Sequence, residues 1–240
     1  MHFVVPKPLP SRLKAPLKDQ DLQEAARDFR YLLNHGYPRK GTLELVGNRY
    51  QLSLDERHLL HRGVFSEPDS TSRRHKVFPV KNLRNKKLAI DGHNVLITIE
   101  AGLAARPLVF ADDGFIRDIS GASGNFKRTA ATDEALRLIL DALKKTKPRH
   151  TLFLLDAPIS HSGKLAEEIR RQLERWNLPG DALAIKVPEE LLIGFPGIIS
   201  TSDTVIIDRS SNVADLAGFI SSRKVKPASM LRWKKRPSRA

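Results

Sequence analysis

The sequence predicts an α/β protein built on a mainly parallel sheet with helices on both faces, preceded by a small all-α region. Three observations predict it. From residue 87 onward, short apolar runs alternate with segments of helical periodicity, the pattern of strand–helix–strand units. Three of those runs end in an acid: Lys87-Leu88-Ala89-Ile90 in Asp91, Thr151-Leu152-Phe153-Leu154-Leu155 in Asp156, and residues 197–202 in Asp203. Ahead of residue 69 the periodicity is helical.

Residues 1–18 contain Pro6, Pro8, Pro10 and Pro16 and read as irregular. Residues 21–37 read as a helix, capped by Asp19 or Asp21, with Leu22, Ala25, Ala26, Phe29, Leu32 and Leu33 on one face and Gly36 and Pro38 ending it. A second short helix is expected at 42–46, followed by a Gly47-Asn48 turn. Ser53-Leu54-Asp55-Glu56 has the form of a capping box and opens a third helix to about residue 61. Two short helices around a turn suggest a helix-turn-helix decorated by Arg39, Lys40, Arg49, Arg57 and Arg62; a bundle packed on the main domain accounts for the same pattern.

Residues 70–86 form a basic linker in this reading. The first strand covers 87–90 and continues past the Gly92 turn. Runs at 107–111 and 115–119 flank Asp112-Asp113-Gly114, a hairpin signal, and 121–124 is loop. Thr132 caps a helix to residue 145, stopped by Pro148. A strand at 151–155, a helix at 163–176, a strand at 182–187, apolar runs at 197–201 and 205–207, and a last helix at 213–220 complete the order. The domains are therefore 1–69, helical; 70–86, linker; 87–222, α/β; and 223–240, a basic tail.

The chain has 240 residues, enough for one α/β domain with an appendage, and its 40% hydrophobic content supports a real core. It has no cysteine, which excludes disulfides and thiolate zinc sites. No apolar run of membrane-spanning length and no signal-peptide pattern occurs, so a cytoplasmic location is expected. The net charge of +14 is unevenly placed: residues 70–90 carry seven Lys/Arg and no acid, and residues 223–240 carry eight and no acid. Residues 91–222 carry fifteen basic and eighteen acidic side chains. Basic segments flanking a mildly acidic core attract polyanions through counterion release.

In an open α/β sheet ligands bind at the carboxyl ends of the strands, where Asp91, Asp156 and Asp203 are expected to gather. Clustered carboxylates repel unless a cation or protons compensate, and hard divalent ions such as Mg²⁺ or Mn²⁺ prefer oxygen ligands. Asp208 and Asp133, or Glu134, are further candidate ligands; at a helix start Asp133 and Glu134 are better explained by the helix dipole. Asn94 could touch a phosphate, as could the glycine-bearing loop that ends in Lys127 and Arg128. Arg73 and Arg74 in the basic stretch complete the candidate nucleic-acid contacts. No P-loop spacing and no Gly-x-Gly-x-x-Gly follow the first strand.

The segment Ala89-Ile90-Asp91-Gly92-His93-Asn94-Val95, the later Leu152-Phe153-Leu154-Leu155-Asp156 and Ile198-Ile199-Ser200-Thr201-Ser202-Asp203 resemble the PIN-like nuclease superfamily, closest to the branch whose first strand ends Asp-Gly-x-Asn. The resemblance covers about residues 87–220. It implies a three-layer PIN-like sandwich with acids at the strand ends around Mg²⁺ or Mn²⁺, and cleavage of RNA or DNA. Asp91 matches the first-strand acid, Asp156 the middle one and Ser202-Asp203 the late Ser/Thr-x-Asp signature. The acid expected on the first long helix has no clean match; Asp133 or Glu134 is nearest. The stretches Arg30-Tyr31-Leu32-Leu33-Asn34-His35-Gly36-Tyr37-Pro38-Arg39-Lys40 and Leu45-Val46-Gly47-Asn48-Arg49-Tyr50, together with the Asp91 segment, also resemble the prokaryotic domain-of-unknown-function family 434 over most of residues 20–220.

The expected function is a metal-dependent nuclease, RNA ahead of DNA as substrate. The competing expectation is a nucleic-acid-binding regulator on a degenerate form of the same fold.

Overall fold

The computed structural model describes residues 19–119, 127–224 and 230–233. Four helices come first: α1 (Asp19–Asn34), α2 (Arg39–Arg49), α3 (Leu54–Gly63) and α4 (Glu67–His75). The Ser53–Glu56 capping box is formed at the start of α3: Ser53 N–H donates to the Glu56 carboxylate at 2.6 Å, and the Ser53 hydroxyl accepts from Glu56 N–H. The expected apolar face of α1 is buried, with Ala25, Ala26 and Phe29 almost fully inaccessible.

The α/β unit then runs β1 (Lys87–Asp91), α5 (Gly92–Leu103), β2 (Leu108–Phe110), β3 (Ile116–Asp118), α6 (Ala130–Thr146), β4 (His150–Asp156), α7 (Ser162–Arg175), β5 (Gly180–Ile185), α8 (Pro188–Ile193), β6 (Ile198–Ser200), α9 (Thr204–Asp208), α10 (Leu216–Lys224) and β7 (Met230–Arg232). The main sheet has the order β5-β4-β1-β6, and every pairing in it is parallel. Alternate residues of each strand face opposite ways. Leu88, Ile90, Phe153, Leu155, Ala182 and Ile198 face the core formed with α5, α6, α7 and α10. Ala89, Leu154 and Ile199 face the smaller core closed by Leu192 of α8 and Ile206 and Ile207 of α9. A second sheet, β3-β2-β7, joins the expected β2–β3 hairpin to β7, which pairs parallel to β2.

Several expectations are corrected. The apolar run after Gly92 is helix α5, not a continued strand. A helix buried on nearly every side carries no polar face, so its sequence lacks the helical alternation that would mark it. Gly92 opens this helix because a Cβ there would lie 2.4 Å from Leu155 Cδ2 and 3.0 Å from the Leu154 carbonyl oxygen. Residues 205–207 belong to α9, and Thr129 rather than Thr132 caps α6. The supposed linker is ordered: α4 spans the expected boundary at residue 70, and Phe78 N–H donates to the Val213 carbonyl at 2.8 Å.

The helix-turn-helix reading also gives way to the packed bundle. Leu22, Phe29, Leu59, Leu60 and Val64 share one core with Val109 of β2 and with Ile119, so the helices rest on the second sheet. Lys40 and Arg49 stay exposed, while the other three bases expected to read a groove point into the fold. Arg39 donates to the Val64 carbonyl and stacks on Phe65, Arg57 donates to the Leu52 carbonyl and to Asn48, and Arg62 reaches Asp118. No described helix is long and apolar enough to cross a membrane.

Candidate active site

Asp91, Asp156 and Asp203 line one cavity of about 550 Å³ at the carboxyl ends of β1, β4 and β6. Parallel pairing with β1 at the centre puts the end of β1 beside those of both neighbours, as the three aspartate-terminated runs predict. Asp118 of β3 and Arg62 of α3 also line the cavity.

Asp91 is buried, and its Oδ2 accepts a 2.8 Å hydrogen bond from the Thr201 hydroxyl. Burial pushes its carboxyl up to about 7, against the opposing pull of the Thr201 bond; the charges of Asp156 and Asp203 push it the same way as burial. Asn94, in the first turn of α5, accepts from both Ser202 N–H at 2.9 Å and the Ser202 hydroxyl at 3.0 Å. The start of α5 thus holds the loop that carries Asp203. Within that loop, Asp203 N–H donates to the Thr201 hydroxyl at 3.0 Å. The Asp203 carboxylate caps α9, accepting from Val205 N–H at 2.8 Å and from Ile206 N–H at 3.2 Å. From the other side the buried Arg117 donates from Nε to the Ser202 carbonyl at 2.7 Å, while its two Nη groups clamp Asp113 at 2.8 Å each. Asp156 is half-buried, with its Oδ2 3.1 Å from Nδ1 of the buried His93.

The remaining sequence candidates lie elsewhere. Asp208 is held by Arg73 through two hydrogen bonds of 2.6 and 2.8 Å, which excludes it from the acid group. Arg73 is itself buried and also reaches Asp113, so it is a structural ion-pair residue rather than a nucleic-acid contact. Arg74, though exposed, is paired with Glu67 and the Asp112 carbonyl. Asp133 pairs with Arg128 at 2.7 Å in a groove of about 840 Å³ between α6 and α7, which shares no lining residue with the acid cavity. That groove is the larger, but its charges are largely matched in pairs. Asp133 therefore does not supply the missing helix acid. Lys127 is exposed, and most of the glycine-bearing loop before it, residues 120–126, lies outside the described residues.

Sequence reasoning missed Asp118, and it assigned Arg62 to a groove-reading helix rather than to this cavity. A signal for Asp118 was present: Arg117 and Asp118 are adjacent charges in a short apolar strand, and neighbouring strand residues face opposite ways, so both could be buried only if each found a partner. Among the described residues no three His, Asp or Glu side chains stand close enough to share one ion in this conformation.

A profile of the domain of unknown function DUF5616 matches residues 80–219, and one of the protein of unknown function DUF434 matches residues 21–76. The family-434 likeness is thus confined to the helical unit, and the α/β unit carries a family of its own. An uncharacterized protein of Methanocaldococcus jannaschii, MJ0935, is 32% identical over 200 residues, which cover 83% of this chain and 95% of the relative. No solved structure matches the chain.

Proposed function

We propose that this chain, which belongs to the DUF5616 family and carries a DUF434 unit ahead of that domain, is a metal-dependent nuclease with a PIN-like three-layer fold that hydrolyses phosphodiester bonds, RNA ahead of DNA. The observation that carries this reading is Asp91: a buried carboxyl at the end of the central strand, pushed up to about 7 in a cavity it shares with Asp156, Asp203 and Asp118.

The donor chemistry fits a hard divalent cation. Every carboxylate in the cavity offers oxygen, and the mutual repulsion felt by Asp91 is what a cation relieves. The side chains do not form a closed cage as they stand. Mg²⁺ keeps several waters and is commonly held by one or two carboxylates, so this open arrangement suits Mg²⁺ or Mn²⁺ better than an ion needing full protein coordination. Asp91 and Asp156 would hold it, while the Asp203 carboxylate stays engaged as the α9 cap. When bound, such an ion polarises a phosphodiester and acidifies water.

The protein's own groups do the positioning. Thr201 fixes the orientation of the Asp91 carboxylate. Asn94 and Arg117 grip Ser202 from two sides and so set the position of Asp203. His93 holds Asp156 against the first turn of α5. Pre-orienting the acids in this way lowers the cost of assembling the reacting groups.

A second reading, a nucleic-acid-binding protein without catalysis on the same fold, is favoured by one observation: the Asp203 carboxylate already serves as a helix cap. Incubating the protein and Asp91→Asn with labelled single-stranded RNA, with and without Mn²⁺, separates the two. Metal-dependent cutting by the wild type alone supports the nuclease; equal, salt-sensitive binding without cutting supports the second reading.

A further inference from the structure

Arg62 stands out in the acid cavity. Among the described residues lining it, Arg62 is the one arginine or lysine, and it comes from α3 of the helical unit rather than from the α/β unit. Its backbone is fixed by the packing of Leu59, Leu60 and Val64 against Val109 and Ile119. Its side chain is about 29% exposed, and its one hydrogen bond among the described residues is a long contact of 3.5 Å from Nη2 to Asp118 Oδ1. Its Nε is buried and has no hydrogen-bond partner among the described residues. A guanidinium carries five N–H donors in a rigid fork, so most of this fork is left to serve something else. Arg117 shows what a saturated guanidinium looks like here, with Asp113 and the Ser202 carbonyl taking donors from all three of its nitrogens.

An acid-lined cavity repels a phosphodiester unless a cation faces the phosphate. The planar fork of arginine matches two phosphate oxygens at once. We propose that Arg62 is a phosphate-binding residue lent by the helical unit to the acid cavity, and that the substrate held there is a phosphate diester. This rests on the nuclease reading for the chemistry that follows binding, but not for the binding itself. It explains why the two units share a core instead of being joined by a free linker: the site needs α3 in register with β3. Asp118 is then a positioning residue that aims the fork, and the pair sits at the seam between the DUF434 and DUF5616 regions.

The test is a titration of the ¹⁵N-labelled full chain with dimethyl phosphate in the presence of Mg²⁺, following the arginine Nε–H resonances. The Arg62 signal is identified by through-bond assignment and by its loss in Arg62→Lys. The expected result is a saturable shift of the Arg62 Nε–H signal, and about tenfold weaker RNA binding in Arg62→Lys, measured by fluorescence anisotropy at fixed salt. The wild-type titration stands even if the variant folds poorly. An Arg62 signal that stays in place while other arginines respond overturns the proposal. The two readings fail separately. A saturable shift in a protein that never cuts RNA upholds Arg62 and removes the nuclease. Metal-dependent cutting with unchanged KM and kcat in Arg62→Lys removes Arg62 and leaves the nuclease.

Discussion

The Thr201 hydroxyl donates a 2.8 Å hydrogen bond to Asp91 Oδ2, tying the end of the central strand to the loop that follows β6. The same hydroxyl accepts from Asp203 N–H at 3.0 Å, so one side chain couples two of the three strand-end acids. Removing it leaves Asp91 buried with its repulsion undiminished and frees the Asp203 loop. Thr201→Val is expected to raise the Asp91 carboxyl further and to reduce RNA cleavage at least tenfold with the far-ultraviolet circular dichroism unchanged.

Asp91 itself costs stability. Its folded-state value of about 7 lies above the ordinary 3.8, so the folded protein binds the proton more tightly than the unfolded chain. Stability from this group is full below the ordinary value, falls as pH rises through 7, and is lost above it. Asp91→Asn removes the charged form and is expected to stabilise the fold by roughly 1–3 kcal/mol at pH 8 and by little at pH 4. Urea unfolding of both proteins at the two pH values checks this. A variant less stable than wild type at pH 8 contradicts the placement of Asp91.

The same linkage governs metal affinity. A cation binding beside Asp91 must displace its proton. Mn²⁺ affinity is expected to rise by up to about tenfold per pH unit below 7 and to level off above it. Calorimetry in buffers of different ionisation enthalpy should count the released proton; affinity flat from pH 5.5 to pH 8 would exclude Asp91 as a ligand.

Arg117 is the anchor behind the site. It is almost fully buried between Asp113 and the Ser202 carbonyl. Arg117→Met leaves Asp113 with a weakened partner in Arg73 and the Ser202 carbonyl without this donor, and is expected to cost about 3–5 kcal/mol. Chemical denaturation should show this as a lower midpoint with an unchanged slope.

Gly92→Ala tests the junction of β1 and α5. The added methyl would meet Leu155 Cδ2 at 2.4 Å and the Leu154 carbonyl oxygen at 3.0 Å. Because one of the two is backbone, relaxation is limited, and a loss of about 1–3 kcal/mol is expected in thermal unfolding.

The parts legible in the sequence were those written locally. The strand-end aspartates stand out because an apolar run followed by an acid is a pattern over six residues, and parallel pairing then brings those ends together. The Ser53 cap and the Asp112-Asp113-Gly114 hairpin are local in the same sense. Helix α5 was not legible because its surroundings are apolar on nearly all sides. Arg73 and Arg74 looked like part of a solvated basic run. The partner that buries Arg73 lies 135 residues away, and nothing in the basic run itself signals Asp208. Arg62 and Asp118 meet across 56 residues and fall in two separate profile matches, so their pairing needed the fold.

The most direct test of the central claim is cleavage of labelled single-stranded RNA by the purified protein with Mn²⁺, with EDTA, and with Asp91→Asn in place of the wild type. The account predicts cutting by the wild type with Mn²⁺, and none with EDTA or with the folded variant. Cutting by a folded, pure Asp91→Asn protein at the wild-type rate, or no cutting by the wild type with Mn²⁺, would contradict it.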